Sequence, residues 1–496
     1  MATQSVAMLS AGMVDNNTMR PKAEFTGLAS DSRKVKPGYL FAALPGTNAD
    51  GAHFIADAAR RGAVAVLGHP GLADRVRHLG LPFLPDENPR LRLAQLAAEF
   101  YGAQPSTIAA ITGTNGKTSV AVFLRQIWEF EGRRAASLGT VGLISPTGHA
   151  TLEHTTPDPL ELHQRLSQLK RDGVDYLALE ASSHGLDQFR IDGLDIAAVA
   201  FTNITRDHLD YHPTFGDYLA AKLRLFAEVV RRNGVAVVNA DAACADTFCT
   251  TARQRDLRLL TVGEKGETLR LVARKPVAQG QTLTIAFAGQ AHEVLLPLVG
   301  DFQASNALVA SGLALGLGDP ADKVFDAVGR LRGAPGRLEL VAYAPNGAPI
   351  YVDYAHTPDA LITVLSAVRP HVAGKVQVVF GCGGDRDKGK RPLMGAAAAE
   401  FADVVTVTDD NPRSEDAALI RKEALRGCPK AVEIGDRAEA IRAAIARLEP
   451  GDALVIAGKG HETGQIVGSE MRPFSDRDQA IEAATALGGR AAESAK

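Results

Sequence analysis

The chain has 496 residues, 46% of them hydrophobic and 22% charged, with a formal net charge of −3. At about 150 residues per domain that is ordinary for a soluble globular protein of roughly three domains. It gives no basic signature for nucleic acid, and no apolar run approaches the ~20 residues of a membrane span. A near-neutral total is compatible with a small anionic substrate, because a site can be locally basic.

The opening stretch "MATQSVAMLSAGMVDNN" lacks the basic start and apolar run of a signal peptide. The four cysteines, Cys244, Cys249, Cys382 and Cys428, form no CxxC pair and read as reduced thiols of a cytoplasmic protein. Residues 1–104 hold short segments, "GYLFAAL" and "GAVAVLG", and a helical run "NPRLRLAQLAAEFYG" with apolar positions at helical spacing. "GAQPST" reads as a linker, and the tail "GGRAAESAK" reads as frayed.

From about 105 a repeating grammar begins, in which a buried-type strand runs into a polar loop and then usually a helix. "TIAAI" leads into "TGTNGKTS", "DYLAL" into "EASSHG", "IAAVAF" into "TNITRDHLDYH" and "GVAVV" into "NADAACAD". "GDFQASNALVASGLALGLG" reads as a helix closing this part. From about 338 the grammar restarts: "PIYV" leads into "DYAHTPDA", "VQVVF" into "GCGGDRDKGKR", "VVTVT" into "DDNPRSED" and "ALVIA" into "GKGHETGQ". Continuous apolar strands alternating with helices imply parallel sheets covered on both faces. Ligands of open α/β sheets bind outside the carboxyl ends of the strands, where each of these loops falls.

"IAAITGTNGKTSVAVFLRQIW" is strand, loop and helix. Gly113 and Gly116 let backbone amides approach phosphates, Lys117 reaches phosphate oxygens, and the Thr118 hydroxyl suits Mg²⁺ at the start of a helix expected from Thr118. The strict GxxxxGK[ST] pattern is not met, because Ile111 stands where its first glycine belongs. There is no "NK" pair for guanine reading, so a GTPase switch is disfavoured. Glu180 and His208 close two strands of the same sheet and are plausible Mg²⁺ ligands with Thr118. Each of His184, His208 and His212 taken alone also reads as an ordinary loop histidine. Lys222, in "FGDYLAAKLRLF", reads on its own as a solvated helix lysine.

Together "GTNGKT", "LEASSHGLDQFR", "TNITRDHLDYH", "GAPGR", "DYAHTPDAL" and "GCGGDRDKGKRPLMG" resemble the Mur ligases, the ATP-dependent amino-acid-adding enzymes of peptidoglycan synthesis. The resemblance runs from "SDSRKVKPGYLFAALPG" to "GKGHETGQ". It implies an α/β fold of three domains: a UDP-sugar-binding domain at 1–104, a central parallel-sheet P-loop ATPase domain at 105–337, and a Rossmann-like amino-acid-binding domain at 338–496. It also implies ATP as co-substrate with Mg²⁺. Gly113, Thr114, Asn115, Gly116, Lys117, Thr118 and Ser119 would hold the phosphates. Glu180, His208 and a CO₂-carbamylated Lys222 would complete metal and phosphate positioning. Asn306 and Arg337 would contact the adenosine part, and Asp353 the ribose, with His356 nearby. Ser32 would contact the UDP-sugar; Thr155, Thr156, Ser182, Gln188 and Arg190 would hold the UDP-N-acetylmuramoyl dipeptide. Pro157, after the Thr pair, departs from the small residue expected there.

The resemblance further implies amide formation through an acyl phosphate, domain closure, and a monomer. For the incoming amino acid, Arg413 in "DDNPR" and Arg386 offer guanidinium groups suited to the second carboxylate of meso-diaminopimelate. Asp410, Asn411 and Pro412 share that loop, and Glu462 and the Gly458 carbonyl would accept from ammonium groups. The bland alternative for Arg413 is a surface turn residue paired with Asp416. The competing functions are an L-lysine-adding ligase, a folylpolyglutamate synthase, which would not need the "SDSR" domain, and a silent nucleotide-binding scaffold.

Overall fold

A computed structural model describes residues 25–46, 50–208, 211–278 and 280–492. The stretch weighed as a signal peptide, residues 1–17, and the last four residues of the tail lie outside that range. Contacts divide the chain into two compact units. One takes the described residues up to Lys117 with Gly132–Ala236 and Asp246–Leu259; the other takes Thr118–Glu131, Val237–Ala245 and the described residues from Leu260 onward.

In the first unit, strands Gly27–Ala29, Tyr39–Ala43, Ala65–Gly68 and Phe83–Pro85 form a four-stranded parallel sheet. Alternate residues of "LFAA" point to opposite faces. Phe41 and Ala43 join Ile55, Ala58 and Val76 in one core, and Leu40 and Ala42 join Leu93, Leu96 and Ala97 in the other. The helix Pro89–Tyr101 is started by Asn88, whose side chain accepts from Leu91 N–H, and carries proline in its first turn.

The same unit holds Ile196–Phe201, Thr107–Thr112, Tyr176–Glu180 and Ala135–Gly139 as adjacent parallel strands. Gly142–Ser145 and Gly148–Ala150 continue that sheet antiparallel. Residues 108–111 and 196–201 are buried throughout, as expected for strands covered on both faces.

In the second unit, Leu269–Val277, Gly280–Phe287 and Gln290–Leu296 form an antiparallel meander. The strand-and-loop readings do not extend to this stretch, where "LTIAF" alternates at period two between turn glycines, which is hairpin grammar. The helix Asp301–Gly316 follows as expected.

A seven-stranded sheet orders Val432–Glu433, Val404–Asp409, Val376–Cys382, Ala453–Ala457, Pro349–Asp353, Glu339–Tyr343 and Arg490–Ala491. Its first five strands run parallel. Phe380, Val407 and Val455 face one core with Leu361, Leu365 and Met394; Val379, Leu454 and Ile456 face the other with Ile441 and Ile445. Each such side chain contributes about 1.5–3 kcal/mol by leaving water. Part of the tail read as frayed is instead a strand, Arg490–Ala491, paired to Ala342 and Tyr343. Registers Asp353↔Ala457 and Cys382↔Asp409 bring four strand ends to one edge, so the loops after 353, 382, 409 and 457 emerge together.

Cys244, Cys382 and Cys428 are free thiols. Among the described residues no helix is long and apolar enough to cross a membrane.

Candidate functional site

The phosphate loop begins where the strand Thr107–Thr112 ends. Gly113 has φ +149°, and a Cβ there would stand 1.9 Å from the Thr202 hydroxyl oxygen. Only glycine leaves that space. The loop is laced to the next strand's end: Thr114 N–H donates to the Asn203 carbonyl at 2.8 Å, Asn115 N–H to the Asn203 side chain at 3.0 Å, and the Thr202 hydroxyl to the Asn115 carbonyl at 2.6 Å. Gly116 is also left-handed, at φ +86°. The helix begins at Lys117, one residue before the expected start, and buries Thr118 and Ser119 in its first turn.

Lys117 Nζ donates to the carbonyls of Gly113 and Thr114, each at 2.8 Å. Lys222 Nζ donates to the same Gly113 carbonyl at 2.8 Å. The reading of Lys222 as a solvated helix lysine is therefore wrong: the residue is 1% exposed. Its helix, Phe215–Arg224, is fixed at the start by a capping box of Thr214 and Asp217, and turns Tyr218, Ala221 and Lys222 inward. The Lys222 ammonium lies 4.4 Å from the Tyr218 ring centroid. Burial first, then the Lys117 charge, hold Lys222 well below the usual lysine range, against the opposing pull of Asp207. Burial pushes the Tyr218 phenol up to about 12. Its hydroxyl stays protonated and shares a 3.0 Å hydrogen bond with Thr114 Oγ1.

Glu180 is 1% exposed at its strand's end. Its carboxylate accepts from Thr140 N–H at 2.8 Å and the Thr140 hydroxyl at 3.1 Å. A Cβ on Gly139 would stand 1.9 Å from Glu180 Oε1, so this cradle needs glycine. His208 is left-handed at φ +52°. Its ring centroid lies 5.0 Å from that of His184 and 6.0 Å from that of Tyr218. His212 is buried, and that burial lowers its pKa.

The residues expected around the dipeptide form one connected group. Thr155 and Thr140 hydroxyls share a 3.1 Å hydrogen bond. Thr156 Oγ1 bonds the Glu180 carbonyl at 2.9 Å and the Ser182 hydroxyl at 3.0 Å. Arg190 donates to the Thr156 carbonyl at 2.6 Å and to Gln188 at 2.8 Å, and Gln188 donates to the Tyr211 hydroxyl at 3.0 Å. After Pro157, Asp158 caps the helix Pro159–Arg171. Ser32 opens a short 3₁₀ turn in the four-stranded sheet's unit, buried, with its hydroxyl on Asp57.

In the second unit, Asn306 donates to Gln303, which donates to the Arg337 carbonyl at 3.2 Å. The Arg337 guanidinium lies 5.0 Å from the Tyr354 ring centroid, and its buried Nε has no hydrogen-bond partner. Asp353, expected at the ribose, uses its carboxylate on backbone: it accepts from Leu338 N–H at 2.6 Å and Ala355 N–H at 2.7 Å. Burial pushes it up to about 6. His356 Nδ1 lies 2.9 Å from the Tyr354 carbonyl, and burial lowers its pKa.

The "DDNPR" loop is zipped to the hairpin of Gly464–Val467 and Glu470–Pro473. Arg413, left-handed at φ +51°, donates its N–H to the Ile466 carbonyl at 3.1 Å and accepts from Gly468 N–H at 2.7 Å. Its guanidinium donates to the Gly384 carbonyl at 2.8 Å. The pairing with Asp416 is not formed; Asp416 caps the helix Ala417–Leu425. Arg386 is exposed, on a loop held by Glu415, which accepts from Asp385 N–H at 2.7 Å and from buried Arg391 at 2.8 Å. The hydrogen bond from Arg391 leads in holding Glu415 at about 2. Gly458, at φ +120°, donates to the Asp353 carbonyl at 3.1 Å. Glu462 Oε2 accepts from Asn411 Nδ2 at 3.1 Å, and Pro412 is buried beside it in the chain.

Three groups escaped sequence reading. Tyr218 had a signal, one helical turn before Lys222. Thr140 had a weaker one, as the first polar residue after "AASLG". Arg437, paired bidentately with Asp476 at 2.6 and 2.7 Å, had none. It also donates to the Asp409 and Ala457 carbonyls, tying the two strand ends from which "DNPR" and "GKGHE" leave.

Residues 24–101, 111–314 and 336–460 match family models described as Mur ligase family, catalytic domain; Mur ligase middle domain; and Mur ligase, glutamate ligase domain. The chain belongs to the Mur ligase family. Among its relatives, a UDP-N-acetylmuramoyl-L-alanyl-D-glutamate–2,6-diaminopimelate ligase of Bradyrhizobium diazoefficiens is 55% identical over 93% of this chain and 95% of its own. The protein of the same name from Caulobacter vibrioides is 50% identical over 92% and 95%. A solved structure of a ligase so named is 34% identical, with TM-score 0.73, covering 95% of this chain and 97% of its own. A folylpolyglutamate synthase of Mycobacterium tuberculosis shares the fold at TM-score 0.58 and 20% identity, over 74% of this chain.

Proposed function

We propose that this chain uses ATP to join meso-diaminopimelate to UDP-N-acetylmuramoyl-L-alanyl-D-glutamate, as a cytoplasmic monomer of three domains, 1–104, 105–337 and 338–496. The observation that carries the chemistry is the convergence of Lys117 and Lys222 on the Gly113 carbonyl.

A carboxylate is a poor electrophile, so the γ-phosphoryl group of ATP passes to the D-glutamate side-chain carboxylate, giving an acyl phosphate and ADP. The neutral amine of the amino acid attacks the acyl carbon, and the tetrahedral intermediate expels phosphate. Bringing anion to anion costs roughly 4 kcal/mol per pair of unit charges 4 Å apart at an effective dielectric near 20. Lys117 opposes that repulsion, and the loop amides orient the phosphates. Thr155, Thr156, Ser182, Gln188 and Arg190 hold the dipeptide portion. Ser32 lies toward the nucleotide sugar. Asn306, Arg337, Asp353 and His356 serve the adenosine end; the unpartnered Arg337 Nε suits an acceptor there.

The donor set fits Mg²⁺, a hard cation that takes few protein ligands and fills its shell with water and phosphate oxygen. Glu180, held in the cradle that Gly139 leaves open, would hold it with Thr118, His208 and carbamylated Lys222. When bound, it supplies positive charge against the phosphates. Burial favours the neutral Lys222 amine. That amine adds to the carbon of CO₂ and loses a proton, giving an anionic carbamate.

Arg413, with Arg386, reads the carboxylate that distinguishes diaminopimelate from lysine. Asp410, Asn411, Pro412, Gly458 and Glu462 line the same loops. The test is phosphate release from ATP with the nucleotide dipeptide and either amino acid. Release with diaminopimelate is expected; release with L-lysine alone would overturn the reading.

A further inference from the structure

Lys459 is completely buried, in the middle of "GKGHE". The chain turns around it between two left-handed glycines, Gly458 at φ +120° and Gly460 at φ +54°. A buried ammonium persists only when paired and hydrogen-bonded. Its Nζ meets three oxygens: Asn411 Oδ1 at 3.0 Å, Glu462 Oε2 at 3.1 Å and Asp410 Oδ1 at 3.4 Å. Three donors meet three acceptors.

We propose that Lys459 is the positioning residue of the amino-acid subsite, setting the orientation of Asn411 and Glu462; this rests on the reading of those loops as the amino-acid site. Asn411 Oδ1 receives Lys459 and Ile466 N–H, the latter at 2.9 Å. The amide orientation is thereby fixed, and Nδ2 faces Glu462. Glu462 Oε2 receives two donors, from Lys459 and Asn411. The other oxygen, Oε1, is left to accept an incoming ammonium group. Lys459 thus acts through two residues of the substrate site, and it keeps the Asp410 and Glu462 carboxylates from repelling each other.

The test measures KM for each of the three substrates in Lys459→Met. KM for diaminopimelate rises about tenfold or more, the loss expected for misplaced charge-assisted partners. KM for ATP and for the nucleotide dipeptide stays within about twofold, as does kcat. Because the single change strands two carboxylates, Lys459→Gln, whose neutral amide still donates to them, is measured beside it, with circular dichroism to confirm folding. A folded variant with an unchanged amino-acid KM overturns the proposal, as does an equal change in all three KM values, which marks a purely structural role. If wild type turns over a different amino acid, the reading of the substrate fails, and the same KM comparison with that amino acid still decides the role of Lys459.

Discussion

Lys117 and Lys222 each donate to the carbonyl oxygen of Gly113, both at 2.8 Å. Two ammonium groups on one acceptor repel each other, and the buried member, Lys222, yields by losing its proton more readily. Lys222→Ala is expected to abolish turnover with circular dichroism unchanged. Activity at the wild-type level would sink the role. Wild type depleted of CO₂ should lose activity and regain it with added bicarbonate. The depleted enzyme gives the opposite sign to ordinary salt inhibition.

Gly113→Ala should cripple the phosphate loop. The new Cβ meets the Thr202 hydroxyl oxygen at 1.9 Å, and the backbone sits at φ +149°. Strain of about 1–3 kcal/mol for such a backbone corresponds to a roughly 5- to 150-fold loss of ATP affinity, read by titration calorimetry. Unchanged affinity would show that the loop relaxes at no cost.

Arg413→Lys keeps the charge and loses the planar fork. A drop in kcat/KM for diaminopimelate of about 10- to 100-fold is expected, since a point charge cannot reproduce bidentate carboxylate binding. Competition assays with L-lysine would reveal whether the change also relaxes selectivity. An unaltered kcat/KM removes Arg413 from the substrate contact.

His163 gives the chain an acid-sensitive point away from these loops. It is 3% exposed on the helix Pro159–Arg171, and burial lowers its pKa to about 4. An unfolded histidine titrates near 6.5. The unfolded state therefore binds more protons between those values, so stability present above pH 6.5 is lost as pH falls toward 4, by up to about 3 kcal/mol. His163→Gln should flatten the unfolding midpoint against pH across that window. A parallel slope in both proteins would exclude this histidine.

The order of strands and loops was legible because glycine and proline punctuate the chain where apolar runs end, as at Gly113 and Pro412. The strand, glycine turn and helix of residues 107–130 were legible for the same reason. Lys222 was not, because a lysine inside an amphipathic helix ordinarily faces water and nothing local says otherwise; its burial is decided by Gly113, 109 residues away in sequence. Lys459 was hidden by its neighbours, since "GKGHE" drew attention to Gly458 and Glu462, the residues there expected to meet an ammonium group. The meander Leu269–Leu296 drew no reading, because it alternates at period two and carries none of the polar loops that mark the other strand ends. Arg437 and Asp476 meet only through tertiary packing across 39 residues.

Arg413 is pinned on both sides of its own peptide by Ile466 and Gly468. Anyone seeking to retrain this protein toward another amino acid by transplanting the 409–416 segment from a differently selective relative would bring the new side chain without the rail that sets its height. The transplant unit is the pair of segments, 409–416 with 464–473.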